Sequence, residues 1–410
     1  MRTVMVSRRD LLASGIAGWV GGSALLPSAQ ASSGVGPLPI RDVETYALQH
    51  RLPRAIGPST ILYGYRDALL VKITAEGGLV GWGETADVGG TRGIIEGPLK
   101  SKLIGQDAMQ IRQRWRELWG PNFGDGRAVG AVDIALHDLR GKALNQSVAD
   151  MMGGRLRNRV LAYAAAMNYT EGVAPEEQHP SEAAELVRRG FRAMKLRTGR
   201  FGVRRDLAVL AKVREAVGPD VRLLTDGNGA FTLPAAIQFG KELEKLDFYC
   251  WEEPLPQGLN YAGYDTLAQS LDIAVAGGEV LDSRAAARDH LVRRSFDIIQ
   301  PDVTLCGGIA EVLFIGEMAR LWSIQCMPHC WGGAIAIAAT LQVLSLLPAY
   351  TWGFSSDEPM LEFDTYENPF RDEIVTRPIE VRDGYVEVPT GPGLGIEINE
   401  DIVRKYRKRS

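Results

Sequence analysis

Three short apolar runs end in an acid at nearly even intervals. Val221–Asp226, Tyr249–Glu252 and Ile273–Glu279 deliver Asp226, Glu252 and Glu279 at spacings of 26 and 27 residues. One acid after an apolar run is ordinarily the start of a solvated loop. A strand-loop-helix-loop unit occupies about thirty residues or fewer, so this spacing brings successive acids to the same rim of successive units. The middle run stops at Glu252-Glu253-Pro254, and proline cannot continue a sheet ladder. Carboxylates converging in this way repel one another unless a cation lies between them. Oxygen-only donors favour a hard ion, and Mg²⁺ is the natural choice.

Other strand ends carry charge at the same rhythm. Lys195-Leu-Arg197 puts two cations on one face of a strand, since side chains two apart point the same way. Asp226-Gly-Asn228, Gln300-Pro-Asp302, Met327-Pro-His329 and then Glu362 follow in order. Unpaired charge is too costly to bury in a core, so this succession points to a site. Of the five histidines, His137, His179 and His290 read as structural or solvated, whereas His329 ends a strand next to the one ending at Asp302. An Asp302–His329 hydrogen bond would fix the imidazole tautomer and raise the basicity of the far nitrogen. The irregular stretch His50–Tyr65, with Pro53, Gly57, Pro58 and Gly64, reads as a functional loop whose His50 and Tyr65 contact substrate.

The elements that must carry these residues follow from periodicity. Asp67–Thr74 and Leu79–Thr85 flank Ala75-Glu-Gly-Gly78 as a hairpin, and helical spacing follows at 108–118 and 128–144. Strands followed by helices make a small α+β domain. From Val160 the pattern alternates, with strands expected at 160–166, 191–197, 221–226, 248–252, 273–278, 296–300, 323–327 and near 349–354. Seven or eight such units close a parallel barrel. Glu380–Thr390 reads as a hairpin returning to the first domain.

The ordered set Lys-x-Arg, Asp-x-Asn, Glu-Glu-Pro, Gly-Glu, Pro-Asp and His resembles the mandelate racemase subgroup of the enolase superfamily. Ala131–Lys142 and Pro389–Gly395 are similar to that family's capping segments. The resemblance implies an α/β fold, a modified (β/α)7β TIM barrel with an α+β capping domain formed by N-terminal and C-terminal segments. The cap would span 37–158, the barrel 159–355, and 356–410 would return to the cap. It further implies Asp226, Glu252 and Glu279 as Mg²⁺ ligands and Asp302–His329 as the base dyad. Glu362 would be an acid hydrogen-bonding the substrate carboxylate, with Asn228 and Lys195 contacting substrate, in a homo-oligomer. Removing a proton α to a carboxylate creates a dianion, an enediolate, whose charge a divalent ion and Lys195 would balance.

One position departs from the pattern. The subgroup commonly has Lys-x-Lys, and Arg197 replaces the second lysine, which serves there as a base. Arginine stays protonated at ordinary pH, so one face of the α-carbon lacks a proton acceptor. That favours β-elimination from an acid sugar over racemisation, with His329 as base and then as acid. Pro328–Gly332 and Leu361–Asp364 are similar to segments of sugar-acid lactone cycloisomerases, so lactone opening is the alternative, and an epimerase follows if Lys195 is a second base. A non-catalytic sugar-acid binding protein would have no reason to keep a base.

Composition bounds the remainder. A 45% hydrophobic chain of 410 residues can bury two domains, and a net charge of −4 with one short basic run, Arg404–Arg409, argues against nucleic acid as a partner. A small carboxylate, an acid sugar or its lactone, is the expected partner. The four cysteines, Cys250, Cys306, Cys326 and Cys330, sit in or beside strands without zinc-pair spacing, and read as buried free thiols. Residues 1–31 resemble a twin-arginine signal: Ser7-Arg-Arg-Asp-Leu-Leu12, an apolar run to Leu26 too short for a confident span, then Ala29-Gln-Ala31. The mature chain is therefore expected in the periplasm without a membrane anchor. Replacing both Arg8 and Arg9 with Lys should stop accumulation of the folded protein in the periplasmic fraction, and normal export of that variant would refute the twin-arginine reading.

Overall fold

The computed structural model describes residues 36–408 except 122–123 and 353–354. The expected signal segment lies outside them. The cap begins with β1 (Ile40–Gly57), β2 (Tyr63–Ala75) and β3 (Val80–Thr85), paired antiparallel in the sheet order β3-β2-β1-β5, where β5 is Tyr169–Thr170. The β2–β3 turn places Gly77 and Gly78 at φ of 83° and 85°, the left-handed region that glycine enters without cost. Side chains along β2 go alternately to two cores: Leu69 and Val71 face the cap helices, and Leu70 joins the larger core shared with the barrel.

α1 (Ile111–Trp119) and α2 (Gly126–Leu144) cover the cap sheet. Asp125 caps α2 by accepting from the Ala128 N–H at 2.8 Å. β3 meets α2 through bare backbone: a Cβ at Gly83 would lie 1.9 Å from the Ala131 carbonyl oxygen, and one at Gly81 2.1 Å from that of Ala135. The Ala131–Lys142 segment also stitches elements together. Asp138 accepts from Trp82 N and Leu394 N, each at 2.9 Å, and Asp133 accepts from Ile309 N at 2.8 Å.

The barrel strands are β4 (Arg159–Ala165), β6 (Ala193–Arg197), β7 (Arg222–Asp226), β8 (Cys250–Glu252), β9 (Ala274–Gly277), β10 (Ile298–Ile299), β11 (Gln325–Cys326) and β14 (Leu361–Asp364). They are parallel, in the order β11-β10-β9-β8-β7-β6-β4-β14. A helix separates each strand from the next, ending with α9 (Ala334–Leu346), every residue of which is buried. The earlier six are α3 (Pro175–Arg188), α4 (Val203–Val217), α5 (Leu233–Lys245), α6 (Tyr264–Ser270), α7 (Arg284–Arg293) and α8 (Ile309–Arg320). This is the expected (β/α)7β arrangement. The barrel interior is filled by small and medium side chains, among them Ala193, Leu224, Cys250, Ala276 and Met327. All four cysteines are free and buried. No helix among the described residues is long and apolar enough to cross a membrane.

Three expectations need correction. The eighth barrel strand is β14, not the segment near 349–354; there β12 (Tyr350–Trp352) pairs with β13 (Ser355–Asp357) as a separate ribbon, so the barrel runs past residue 355. The stretch His50–Tyr65 is largely strand: β1 and β2 pair as far as Arg51↔Tyr65, and a register shift, not a long loop, accommodates the residues up to Ile56. The 380–390 segment does not join the cap sheet; β15 (Tyr385–Glu387) pairs antiparallel with β4. The tail returns to the cap later, through α10 (Glu400–Lys405) and hydrogen bonds of Gln49 N to Tyr406 O (3.0 Å) and Lys408 N to Ala47 O (2.8 Å).

The β3–α2 contact generates a prediction. Gly83→Ala should cost about 1–3 kcal/mol, the usual penalty of overpacking. Urea denaturation measures it, and an unchanged midpoint would mean that β3 and α2 are less tightly apposed.

Candidate active site

The carboxyl ends of the barrel strands gather the charged residues into one connected network. Lys195 Nζ lies 2.6 Å from Glu252 Oε1, 2.7 Å from Glu362 Oε1 and 4.0 Å from Asp226 Oδ2. Arg197 is bonded to Asp226, and its Nε donates to Asn168 Oδ1 at 3.2 Å. Asn228, at φ 48°, donates its N–H to Asp226 Oδ1 at 2.7 Å. Gln300 Nε2 donates to Glu252 Oε2 at 3.0 Å. The dyad is formed: His329 Nδ1 and Asp302 Oδ2 are 2.7 Å apart. The other ring nitrogen, Nε2, faces Glu279 at 3.3 Å and Glu362 at 3.7 Å.

The electrostatics separate the roles open to each group. Burial works against the Lys195 ammonium, yet Glu252 and Glu362 hold it above its ordinary range. Burial likewise opposes Arg197, and Asp226, Glu362, Glu252 and Glu279 together outweigh it. Neither cation is a ready proton acceptor. Burial also presses on His329, but Glu279, Glu362 and the Asp302 hydrogen bond raise it to about 10. Glu362 is pushed up by burial and pulled down further by Lys195, His329 and Arg197, to about 2. It is bonded here to Lys195 and to the Tyr163 hydroxyl (3.1 Å).

Asp226, Glu252 and Glu279 line three neighbouring strand ends, with Asp226 directly opposite Glu252 in the ladder. As they stand, each is turned to its own cation. Among the described residues no group of three or more His, Cys, Asp or Glu is arranged to hold a metal ion. Their chemistry nonetheless suits a hard divalent cation: the donors are all oxygen, and the charge is under-compensated. Burial raises Glu252 to about 7, with Asp226 and Glu362 adding to it, and burial and Asp226 raise Glu279.

A cavity of about 320 Å³ opens between cap and barrel, walled by Leu52, Ile56, Tyr63 and Tyr65 of the cap and by Asp302 and His329 of the barrel. It meets the charged network at the dyad. Tyr65 lines it. His50 does not: on β1, its Nε2 lies 2.7 Å from Glu367 Oε1 and its ring meets Tyr406 edge-on. Strand pairing turns it toward the tail, and it does not line the cavity as a substrate contact would. Sequence reading missed Tyr163, which orients Glu362; Asn168, which orients Arg197; and Arg66, a buried cap residue paired with Asp364 at 2.6 Å. None ends a strand in a charged motif, which is the signal that found the others.

Comparison with known proteins places the whole arrangement. Residues 44–153 match the mandelate racemase / muconate lactonizing enzyme N-terminal domain, and residues 179–402 match the enolase C-terminal domain-like family. The chain belongs to the mandelate racemase/muconate lactonizing enzyme family. It is therefore an enolase-superfamily enzyme, a lyase or an isomerase. A family relative, D-galactarolactone cycloisomerase of Agrobacterium fabrum, is 36% identical over 375 residues, covering 90% of this chain and 98% of the relative. Arabinonate dehydratase of Saccharolobus solfataricus is 30% identical over 394 residues, covering 90% and 100%. The crystal structure of the 3,6-anhydro-D-galactonate cycloisomerase from Zobellia galactanivorans superposes with a TM-score of 0.79 at 30% identity, covering 90% of this chain and all of that one.

The Lys195 wedge is testable in this family member without a substrate. Lys195→Met keeps the volume but leaves Glu252 and Glu362 buried without their partner. Breaking a buried pair from one side costs about 3–5 kcal/mol. Urea unfolding in chelator should show a loss of that order, and a fully stable variant would mean that the two carboxylates are protonated or solvated.

Proposed function

We propose that the enzyme removes the proton α to the carboxylate of an acid sugar and expels the β-hydroxyl as water. The observation that carries this is the asymmetry of the rim. One imidazole is tied through Nδ1 to an aspartate at 2.7 Å, while Lys195 and Arg197 are each engaged by buried carboxylates. Nδ1 is committed to Asp302, so Nε2 is the atom that takes and returns the proton. The electron pair of the C–H bond becomes the new double bond as the Cβ–O bond breaks, and the proton on Nε2 leaves with the oxygen. Lys195 stays cationic and balances the charge gathering on the substrate carboxylate. Asn228 and Tyr65 are the groups proposed to contact substrate beyond it.

Asp226, Glu252 and Glu279 are the residues that would hold a Mg²⁺ ion. When bound, such an ion supplies positive charge to a substrate carboxylate becoming a dianion, and it balances Glu279, whose charge otherwise keeps His329 an imidazolium. A second reading, elimination of the ring oxygen of a sugar-acid lactone, is supported by the names of two relatives, the galactarolactone and anhydrogalactonate cycloisomerases. Both readings use the same proton and the same base. The leader sequence supports a periplasmic enzyme, and the family supports a homo-oligomer.

A panel of acid sugars and their lactones, assayed with Mg²⁺ and with chelator, separates the readings: hydroxy-acid turnover marks a dehydratase, lactone turnover a cycloisomerase. Positioned acid–base catalysis contributes about 10²–10⁴-fold, so His329→Asn should lose at least that in turnover and in α-proton exchange in deuterated water. Wild-type exchange in that variant would make Lys195 or Arg197 the base and an epimerase the better description.

A further inference from the structure

The cap strand β3 ends at the rim with two consecutive buried polar residues, Glu84 and Thr85, both lining the cavity that His329 and Asp302 share. Glu84 accepts from Gly333 N–H at 2.5 Å and from Ala336 N–H at 3.0 Å, at the start of α9. That segment, Pro328–Gly333, is the one that carries His329. Thr85 Oγ1 donates to the Thr304 carbonyl at 2.8 Å. Thr304 in turn donates both its N–H and its hydroxyl, each at 2.7 Å, to Asp302 Oδ1, the oxygen that His329 does not use.

Consecutive side chains on a strand point to opposite sides. Glu84 and Thr85 therefore leave β3 in opposite directions, yet each reaches the backbone around one member of the dyad. The strand end thus ties together the backbone at Gly333 and at Thr304. The fit leaves no slack on the His329 side: a Cβ at Gly333 would come within 2.7 Å of Phe370 O and 3.0 Å of Glu84 Oε1, and one at Gly332 within 3.1 Å of the same oxygen. Within the barrel, β10 and β11 pair over only two residues, with Met327 N bonded to Ile299 O at 3.0 Å just beyond, and the cap contacts add to that short ladder.

We propose that Glu84 and Thr85 are positioning residues, through which the capping domain sets the distance and orientation between His329 and Asp302. The proposal rests on the reading of that pair as the reacting dyad, and it makes the cap part of the proton-transfer apparatus as well as a lid over substrate. Neither residue touches the transferred proton.

The test uses the mature enzyme with Mg²⁺ and whichever acid sugar or lactone of the panel the unaltered protein turns over. Misplacement by about 1 Å costs on the order of 10²-fold, so Thr85→Val should lower kcat by about 10- to 100-fold and leave KM within about twofold. Thr85→Ser, which keeps the hydroxyl, should restore kcat. A readout independent of turnover is the downfield proton resonance of the His329 Nδ1–H, assigned by its loss in His329→Asn. It should shift or broaden in Thr85→Val and in Glu84→Gln. If both variants keep that resonance and kcat, or if kcat and KM change together with thermal stability alone, the residues are structural and the proposal is overturned. Should Glu84→Gln fail to fold, Thr85→Val and Thr85→Ser decide the matter. An active His329→Asn would overturn the base assignment, while the resonance would still report whether β3 orients the pair.

Discussion

Five acids, two strongly basic side chains and an imidazole are packed where barrel strands end, and mutual compensation is what makes the assembly tolerable. Lys195 is the hinge of it. Its ammonium stands between Glu252 and Glu362 while Arg197 takes Asp226, so charges that would be prohibitive alone become a network. The surrounding structure serves that network. Tyr163, Asn168 and Gln300 fix the directions of the charged side chains at the barrel mouth with hydrogen bonds. A site so arranged is pre-organised for a substrate that gains negative charge as it reacts, because its cations are in place before the charge appears.

Much of this was legible in the sequence for one reason. A parallel barrel converts a regular spacing along the chain into a common rim, so Asp226, Glu252, Glu279, Asp302 and His329 could be found from spacing and the proline or glycine beside them. The first seven strands were located the same way. Failures came where that translation does not hold. Tyr350–Trp352 has the composition of a strand and is one, but it pairs with Ser355–Asp357, and the barrel is completed by the short Leu361–Asp364. Glu362 was found without its strand. Pro and Gly between His50 and Tyr65 suggested a loop, whereas pairing with a neighbouring strand carried both residues into an ordered ribbon and turned His50 away. Which neighbour a segment selects is decided by tertiary packing, and local pattern is silent on it.

Residues that act through others were the least legible of all. Glu84 and Thr85 sit in Gly-Trp-Gly-Glu-Thr, which reads as an ordinary hairpin strand. Their partners lie some two hundred residues away, at Thr304, Gly333 and Ala336. The glycines at 81 and 83 carry the same lesson, since they mark where a helix backbone comes close rather than where the chain turns.

The return of the tail to β1 bears on how the chain is made. Between β5 at one end and residues 406–408 at the other, the outer edge of β1 is covered partly by residues that follow the barrel in the chain. Until they emerge from the ribosome, a long strand carries unpaired backbone along that edge, the condition under which sheets recruit foreign chains. That edge of β1 is therefore left without its later cover while the whole barrel between them is being made.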